Sequence, residues 1–392
     1  MREDKEKMKK LAIITSHPIQ YNAPLFRLIA QRKKIELKVF YTWGQAAAGN
    51  VYDPDFKKSF TWDIPLLEGY DYELIDNVSS KPGAFHFKGI INKNLVNLID
   101  KYKPDALLIY GWSFQSHLKV MRYYKGRIPI FFRGDSTLLD EQPGWNFKKV
   151  MRRFSLKWVY QYIDKALYTG EANKIYFLKH GVTPEQLLYA PHAVDNDRFE
   201  DRDESYSLKA KQWRTDLGIP RDAFVFLFAG KLEAKKNPFL LLDAFVQLNE
   251  PEAYLLFVGN GELEQQLKEK AKHNKKVLFL DFQNQQIMPV VYRLGNVFVL
   301  PSQGPGETWG LSVNEATACG LPVLVSNKCG CALDLVKDNG FVFESNNPNE
   351  LFEKMQELAT DRKNALIKGT KSRQIIRQFH YSKIADVIEN SI

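Results

Sequence analysis

The sequence predicts an α/β chain of two doubly wound parallel-sheet domains, and three observations carry that prediction. Short apolar runs at residues 9–15, 35–42, 105–110, 128–132, 166–169 and 187–190, and again at 224–230, 254–258, 277–280 and 297–300, read as strands buried on both faces. Segments of helical spacing alternate with them, as βα units require. The length of 392 residues exceeds what one core usually supports, so two domains are expected: residues 1–200 and 201–375, with 376–392 as a last helix.

The elements follow in order. Residues 9–15 form the first strand and 22–32 the helix after it, joined by a polar turn, Ser16 to Tyr21, in which His17 either serves a site or only caps the helix. Residues 35–42 make a second strand. The segment 43–69 is too long for an ordinary connection and carries Trp43, Tyr52, Phe56, Phe60 and Trp62, which could stack on sugar faces but are expected to pack on their own domain. A helix over 90–101, a strand over 105–110 and a helix over 113–124 lead to the strand 128–132, which ends in Arg133-Gly134-Asp135-Ser136. Arg133 there could face a phosphate and Asp135 accept from a sugar hydroxyl, or the two could simply pair and close the loop.

Residues 145–164 repeat apolar side chains at helical spacing (Phe147, Val150, Met151, Phe154, Trp158, Tyr162) beside Lys148, Lys149, Arg152, Arg153 and Lys157. Packing of a surface helix is the expectation, with contact to anionic lipid the other reading. A strand at 166–169, a helix at 171–180 and a strand at 187–190 close the first half, and the charged run 195–205 reads as a linker.

In the second half the strand 224–230 runs into Lys231, Lys235 and Lys236. The strand 254–258 meets Gly259-Asn260-Gly261, and 277–280 leads into Phe282. The central stretch follows: strand 297–300, a loop rich in Gly and Pro, helix 311–319 and a further strand. Glu307 lies in that loop and Glu315 on the helix, so both can face the crevice beyond the carboxyl ends of the strands, where open α/β sheets hold ligands. The N–H groups of Trp309, Gly310 and Leu311 begin the helix unpaired and suit a phosphate, and Glu315 suits the vicinal hydroxyls of a ribose. Together they suggest a nucleotide; alternatively the two glutamates only cap and solvate the helix.

The pattern Pro301, Ser302, Glu307, Gly310, Leu311, Glu315, Ala316, Ala318, Cys319, Gly320, Leu321, Pro322, Val323 resembles the donor-binding signature of family 4 glycosyltransferases. That resemblance implies the GT-B fold, two Rossmann-like domains facing each other across a cleft, with the last helix packing back on the first domain. It implies a retaining, metal-independent hexosyltransferase (EC 2.4) that takes a sugar from a UDP- or GDP-sugar donor. Lys231 and Lys236 stand where the family's Arg and Lys hold the diphosphate. Glu307, Thr308, Trp309, Gly310, Leu311, Glu315 and Phe282 stand where the donor is bound, while His17 and Arg133 lie toward the acceptor or diphosphate. The sequence departs by an expanded loop over 303–306, by Trp309 in place of a Phe, by Lys for Arg at 231, and by lacking the histidine many relatives carry near Asp135. Asp135 is therefore expected to share the catalytic work with Glu307, Lys231 and Lys236. His192 lies in a Pro-His-Ala-Val-Asp run where relatives show Pro-Asn-Gly-Val-Asp.

Composition bounds the partners. An apolar content of 44% with 26% charged residues is that of a globular protein, and no run approaches the roughly 18 apolar residues that cross a bilayer. The charged first ten residues are not a secretory signal. Cys319, Cys329 and Cys331, without nearby histidines, read as reduced thiols of a cytoplasmic protein and not as a metal site. Residues 1–200 hold 31 basic against 22 acidic side chains, and residues 201–392 hold 24 of each. The basic half implies an anionic partner, whether a phosphorylated small molecule, an anionic membrane surface or a nucleic acid, or else is only a solvated surface that happens to be basic. A growing glycan on a polyprenyl diphosphate, met at the inner face of a bacterial membrane during surface polysaccharide or lipopolysaccharide synthesis, fits both the charge and the resemblance. Three rivals stand beside this reading. A non-catalytic sugar-nucleotide-binding subunit is favoured by the missing histidine. A nucleic-acid binder is disfavoured by the lack of any binding module. A nicotinamide dehydrogenase is disfavoured by the lack of Gly-x-Gly-x-x-Gly after the first strand. The triplet of Asp53, Pro54 and Asp55 lies away from the donor side, so no catalytic metal is expected.

Overall fold

The computed structural model describes residues 8–47, 51–53 and 58–392. Phe56 and Asp55 of the long connection lie outside the described residues, as do the side chains of Tyr52, Asp53 and Phe60. The first sheet contains β1 (Lys9–Thr15) and β2 (Ile35–Tyr41); a separate antiparallel pair, β3 (Val51–Asp53) and β4 (Lys58–Phe60), follows. The sheet continues with β5 (Asp71–Leu74), β6 (Ala106–Tyr110), β7 (Ile130–Arg133), β8 (Lys165–Tyr168) and β9 (Leu187–Tyr189) in the order β5-β2-β1-β6-β7-β8-β9. The second sheet contains β10 (Phe224–Ala229), β11 (Ala253–Val258), β12 (Val277–Leu280), β13 (Val297–Leu300), β14 (Val323–Ser326) and β15 (Gly340–Phe343), ordered β12-β11-β10-β13-β14-β15. Every pairing within these two sheets is parallel.

Parallel strands must be joined by crossovers, which lay helices on both faces, so the central strands bury every residue. β10 and β13 do so throughout. Each sheet separates two apolar layers: Ile14, Phe40, Ile109 and Phe132 lie on one side of the first, and Ile13, Val39, Leu108 and Phe131 on the other. Strand order reverses between β1 and β6 and again between β10 and β13, and the crevices at those two reversals open toward each other.

Three local expectations needed correction. A helix was expected over 90–101, but it spans Leu95–Tyr102. The stretch before it is held extended by Asn92, whose amide donates to the carbonyls of Thr42 and Asp76 (2.8 Å each), and by Asn77, whose Oδ1 accepts from Ile91 N–H (2.9 Å). The charged run 195–205 is not a free linker. Its residues form the short helix Asn196–Phe199 and enter the helix Ser205–Asp216, tied by Asp201 to the N–H groups of Tyr206 and Ser207 (2.9 Å each) and to Arg293 (3.3 Å). The basic helix spans Phe147–Tyr160 and buries only Leu156, Val159 and Tyr160. Trp145, Phe147, Met151, Phe154 and Trp158 of this region stay 83, 63, 50, 68 and 45% exposed, against the expectation that they pack. The last helix spans Tyr381–Glu389 and sets Ile384, Ala385 and Ile388 among first-domain residues such as Phe26 and Ile29.

Candidate active site

The carboxyl end of β10 turns sharply at Gly230, and the neighbouring turn after β11 comes so close that a Cβ on Gly259 would sit 2.1 Å from the Gly230 carbonyl. This leaves the chain of residues 230–237 lying over the strand ends. A short turn, Ala234–Lys236, aims Lys236 inward. Its ammonium pairs with Glu307 Oε2, which also accepts from Ser302 Oγ (2.9 Å). Burial alone would lower the Lys236 pKa and raise that of Glu307, but each charge more than offsets the desolvation of the other: Lys236 is held above its usual range and Glu307 below. An ammonium has three donors, so Lys236 keeps capacity for an anion while holding Glu307.

Gly310, at φ 99°, takes the left-handed conformation that starts the helix Leu311–Ala318. That helix carries Glu315 one turn in. Its carboxylate is buried and accepts from Tyr292 OH (2.7 Å) and from Tyr21 OH (3.1 Å), a residue 294 positions away in the first domain. Burial raises the Glu315 pKa, and the two phenols offset only part of that.

Glu315, Lys231, Lys235, Lys236 and Phe282 line one cavity of about 320 Å³ between the domains, which Gln20, Tyr21 and Trp62 close from the first domain. Trp62, for which packing on its own domain was the favoured reading and stacking on a sugar the other, borders this space. Glu307 lies behind Lys236. Thr308 faces the other way, its hydroxyl donating to Asp135 Oδ2 (2.8 Å) across the cleft. The Trp309 indole is an interdomain wedge: its N–H donates to Asn314 (2.7 Å), its ring lies 5.3 Å from that of His192, and a Cβ on Gly170 would meet it at 2.4 Å. What Trp309 offers a ligand is therefore backbone alone.

A second cavity of about 310 Å³ adjoins across Leu311 and Tyr21 and is lined by Arg133, Asp135, His192 and Tyr381. Arg133 is buried and gives two of its N–H groups to the carbonyls of Ala190 (2.8 Å) and Pro191 (3.2 Å), which spends much of the fork foreseen for a phosphate. His17 borders neither cavity; Ser16 Oγ lies 3.0 Å from its Nδ1, and its ring stands edge-on to Trp43. Sequence reasoning did not assign Tyr21, Tyr292 or His192 to the site, and of these only His192 carried a signal, as the odd residue in its motif; Ser302 stood in the signature without a role of its own. Among the described residues no three histidine, cysteine or acidic side chains gather closely enough to hold a metal ion.

Residues 209–376 match the family model of group 1 glycosyl transferases. An Escherichia coli UDP-Gal:α-D-GlcNAc-diphosphoundecaprenol α-1,3-galactosyltransferase is 28% identical over 284 residues, 68% of this chain and 71% of its own. The sulfoquinovosyl transferase SQD2 of Arabidopsis thaliana is 23% identical over 76% of this chain and 58% of its own. Among solved structures, HepE of Anabaena in complex with UDP and glucose superposes with a TM-score of 0.71 at 17% identity, covering 98% of this chain and 99% of that one. WaaG, a glycosyltransferase involved in lipopolysaccharide biosynthesis, gives 0.68 at 14% identity, covering 97% and 99%. These structural likenesses concern the fold, which is GT-B.

Proposed function

We propose, from the match of residues 209–376 to the family model of group 1 glycosyl transferases, that the chain moves a hexose from a UDP- or GDP-sugar to a lipid-linked glycan, with retention at the anomeric carbon. The observation that carries this reading is the cavity whose wall gathers Lys231, Lys235, Lys236 and Glu315 under Phe282. In such a transfer the bond from the anomeric carbon to the diphosphate oxygen breaks, the ring becomes oxocarbenium-like and negative charge builds on the leaving diphosphate. Cations fixed at that diphosphate favour the transition state over the ground state. Lys231 and Lys236 serve there, along with the N–H groups that begin the Leu311–Ala318 helix. Glu307, held by Lys236 and Ser302 behind the cavity wall, acts on the donor through Lys236, which it fixes toward the sugar diphosphate. Glu315 takes the ribose hydroxyls, exchanging the Tyr21 hydroxyl for them. Asp135 stands on the acceptor side. The reaction needs no metal in this reading, and the division 1–200, 201–375 and 376–392 separates acceptor domain, donor domain and closing helix.

The acceptor belongs to bacterial surface polysaccharide, carried on a polyprenyl diphosphate, and the enzyme meets it from the cytoplasmic face. Support for the membrane contact comes from the exposed apolar side chains Trp145, Phe147, Met151 and Phe154 set among Lys148, Lys149, Arg152 and Arg153. The similarity to a diphosphoundecaprenol galactosyltransferase points the same way. The test is thermal denaturation with a panel of UDP- and GDP-sugars, followed by assay of nucleotide release with a synthetic sugar-diphosphopolyprenol. One donor should raise the melting temperature and lose its sugar to the lipid. Stabilisation without transfer to any of the acceptors would favour the non-catalytic binding subunit, and no stabilisation by any donor would defeat both readings.

A further inference from the structure

The donor cavity lies at the carboxyl ends of the second sheet. At the opposite end, where β10, β13 and β14 begin, is a groove of about 660 Å³ that shares no lining residue with it. Phe224, the first residue of β10, borders the groove, and Ala229, the last, borders the donor cavity. At about 3.3 Å per residue the two spaces stand roughly 17 Å apart. The groove runs between the helix Ser205–Asp216 and the helix Arg362–Ile376, beside the turn from Cys319 to Pro322.

Its wall is strongly basic. Lys211, Arg214, Arg221, Arg293, Arg362 and Arg373 line it, against Asp222 as the one acid. Residues 201–392, which carry all of these, hold 24 basic and 24 acidic side chains, so the groove is a local segregation of charge and not a share of a general excess. Three of the six cations are engaged by the protein. Arg214 donates to the Ala223 carbonyl, Arg293 to the carbonyls of Pro289 and Phe199 (2.7 Å each), and Arg362 pairs with Glu252 (2.6 Å). The other three, Lys211, Arg221 and Arg373, are exposed, and their side chains make no hydrogen bond or ion pair among the described residues.

These three come from separate elements: the helix Ser205–Asp216, the turn before β10 and the helix Arg362–Ile376. Arg373 lies across Gly320 so closely that a Cβ there would meet its Nε at 2.4 Å. The partial negative charge at the carboxyl end of the helix Leu311–Ala318 accounts for a cation at that point. It does not account for Lys211 and Arg221. Like charges around a concave wall repel one another unless a counter-charge sits among them, and the concavity focuses their potential on an anion.

The shape says which anion. Guanidinium groups match the oxygens of a phosphoryl group in geometry as well as charge. The volume falls within the range of small-molecule sites, about 300–1,000 Å³. Extended polyanions and lipid surfaces fit less well, because Asp197, Glu200 and Glu204 border the adjoining cavity that shares Lys211, Arg293 and Arg373, and a large anionic surface would meet those carboxylates too.

We propose that this groove is a second anion site, apart from the donor cavity, in which Lys211, Arg221 and Arg373 hold a phosphorylated small molecule. The variants that test it are Lys211→Gln, Arg221→Gln and Arg373→Gln, singly and together. Each removes a charge at an exposed position without a protein partner, so the melting temperature should equal that of the parent. Calorimetric titration with inorganic pyrophosphate and with inorganic phosphate reads the binding, at about 0.15 M salt so that diffuse attraction is screened. Pyrophosphate should bind the parent, the triple variant should weaken it about tenfold or more, and Lys231→Gln in the donor cavity should leave the groove's binding unchanged. Pyrophosphate binding lost in Lys231→Gln and kept in the triple variant would place the anion in the donor cavity alone and overturn the proposal. No binding of either probe by the parent at millimolar concentration would show a solvated basic face and overturn it as well. Co-sedimentation with phosphatidylglycerol vesicles is the further arm: the triple variant should bind them as the parent does. Loss of vesicle binding in the triple variant, with no pyrophosphate bound by the parent, would assign the three cations to a lipid surface instead. Because none of the three borders the donor cavity, this proposal and glycosyl transfer stand or fall separately.

Discussion

Glu315 and the Glu307–Lys236 pair show how two carboxylates of one motif can have opposite electrostatics. Glu307 is buried beside a cation and its pKa falls, while Glu315 is buried among phenols and its pKa rises. For Glu315 the folded state favours the neutral acid, so the destabilisation it causes is absent at pH values below the unfolded carboxylate range, near 4.3. It grows as pH rises through the folded pKa. Glu315→Gln should therefore stabilise the protein at pH 8 by on the order of 1 kcal/mol and by less at pH 5, while weakening nucleotide binding. Calorimetric melting at the two pH values checks this; a larger loss of stability at pH 8 than at pH 5 would sink the assignment.

The neighbouring pair behaves in the other sense. Glu307 contributes stability above the unfolded carboxylate range, and that contribution is lost as pH falls through its lowered folded pKa. Removing the cation by Lys236→Met strands a buried charge and should cost about 3–5 kcal/mol, of which adding Glu307→Gln should restore at least half. Urea denaturation of the four proteins of that cycle gives the answer, and simple additivity would contradict the pairing. At this scale the identity of the key side chains was legible, because Glu307, Glu315 and the lysines sit in a recognisable spacing. Their partners were not, since a carboxylate at a given spacing does not announce whether a lysine or a tyrosine will face it.

At the scale of elements, the apolar runs located most strands to within a residue or two, since burial on both faces leaves a continuous hydrophobic signature. β5 escaped, because three of its four residues are exposed and it carries no such run. The helix Phe147–Tyr160 had its amphipathic pattern read from sequence, but periodicity alone could not tell a face that packs from one left open. With Phe154 68% and Trp145 83% exposed, Trp145→Ser with Phe154→Ser should leave the melting temperature unchanged and reduce binding to phosphatidylglycerol vesicles about tenfold. Vesicle co-sedimentation measures it, and the residual binding should fall further on raising salt from about 0.05 to 0.5 M as the Debye length shrinks. Vesicle binding by the double variant equal to that of the parent would argue that this face meets something other than lipid.

For the whole molecule, the last helix joins what the sheets keep apart. Arg32 contacts Asp386 (2.6 Å) and Glu389 (3.0 Å), Lys34 reaches the same Glu389 (3.2 Å), and Ile384 and Ile388 complete the apolar layer over β1 and β2. Ending the chain at His380 should lower the melting temperature by several degrees, because two fully buried isoleucines are worth about 1.5–3 kcal/mol each. Differential scanning calorimetry of the shortened chain tests this. A melting temperature equal to that of the full chain would show that the first domain does not need the helix. Across the cleft, Tyr21 to Glu315, Thr308 to Asp135, and Gly306 N–H to Asp140 (2.8 Å) tie the two domains directly.

The amino-acid sequence by itself determined the alternation of strand and helix, the two-sheet class and the donor-side motif, because hydrophobic period and turn chemistry act over a few neighbouring residues. Only the tertiary structure decided that Tyr21 would meet Glu315, that Trp62 would close the donor cavity, and that Tyr381 would border a cavity with His192. Such meetings depend on strand order and on how two domains and a returning helix close, which no local spacing encodes.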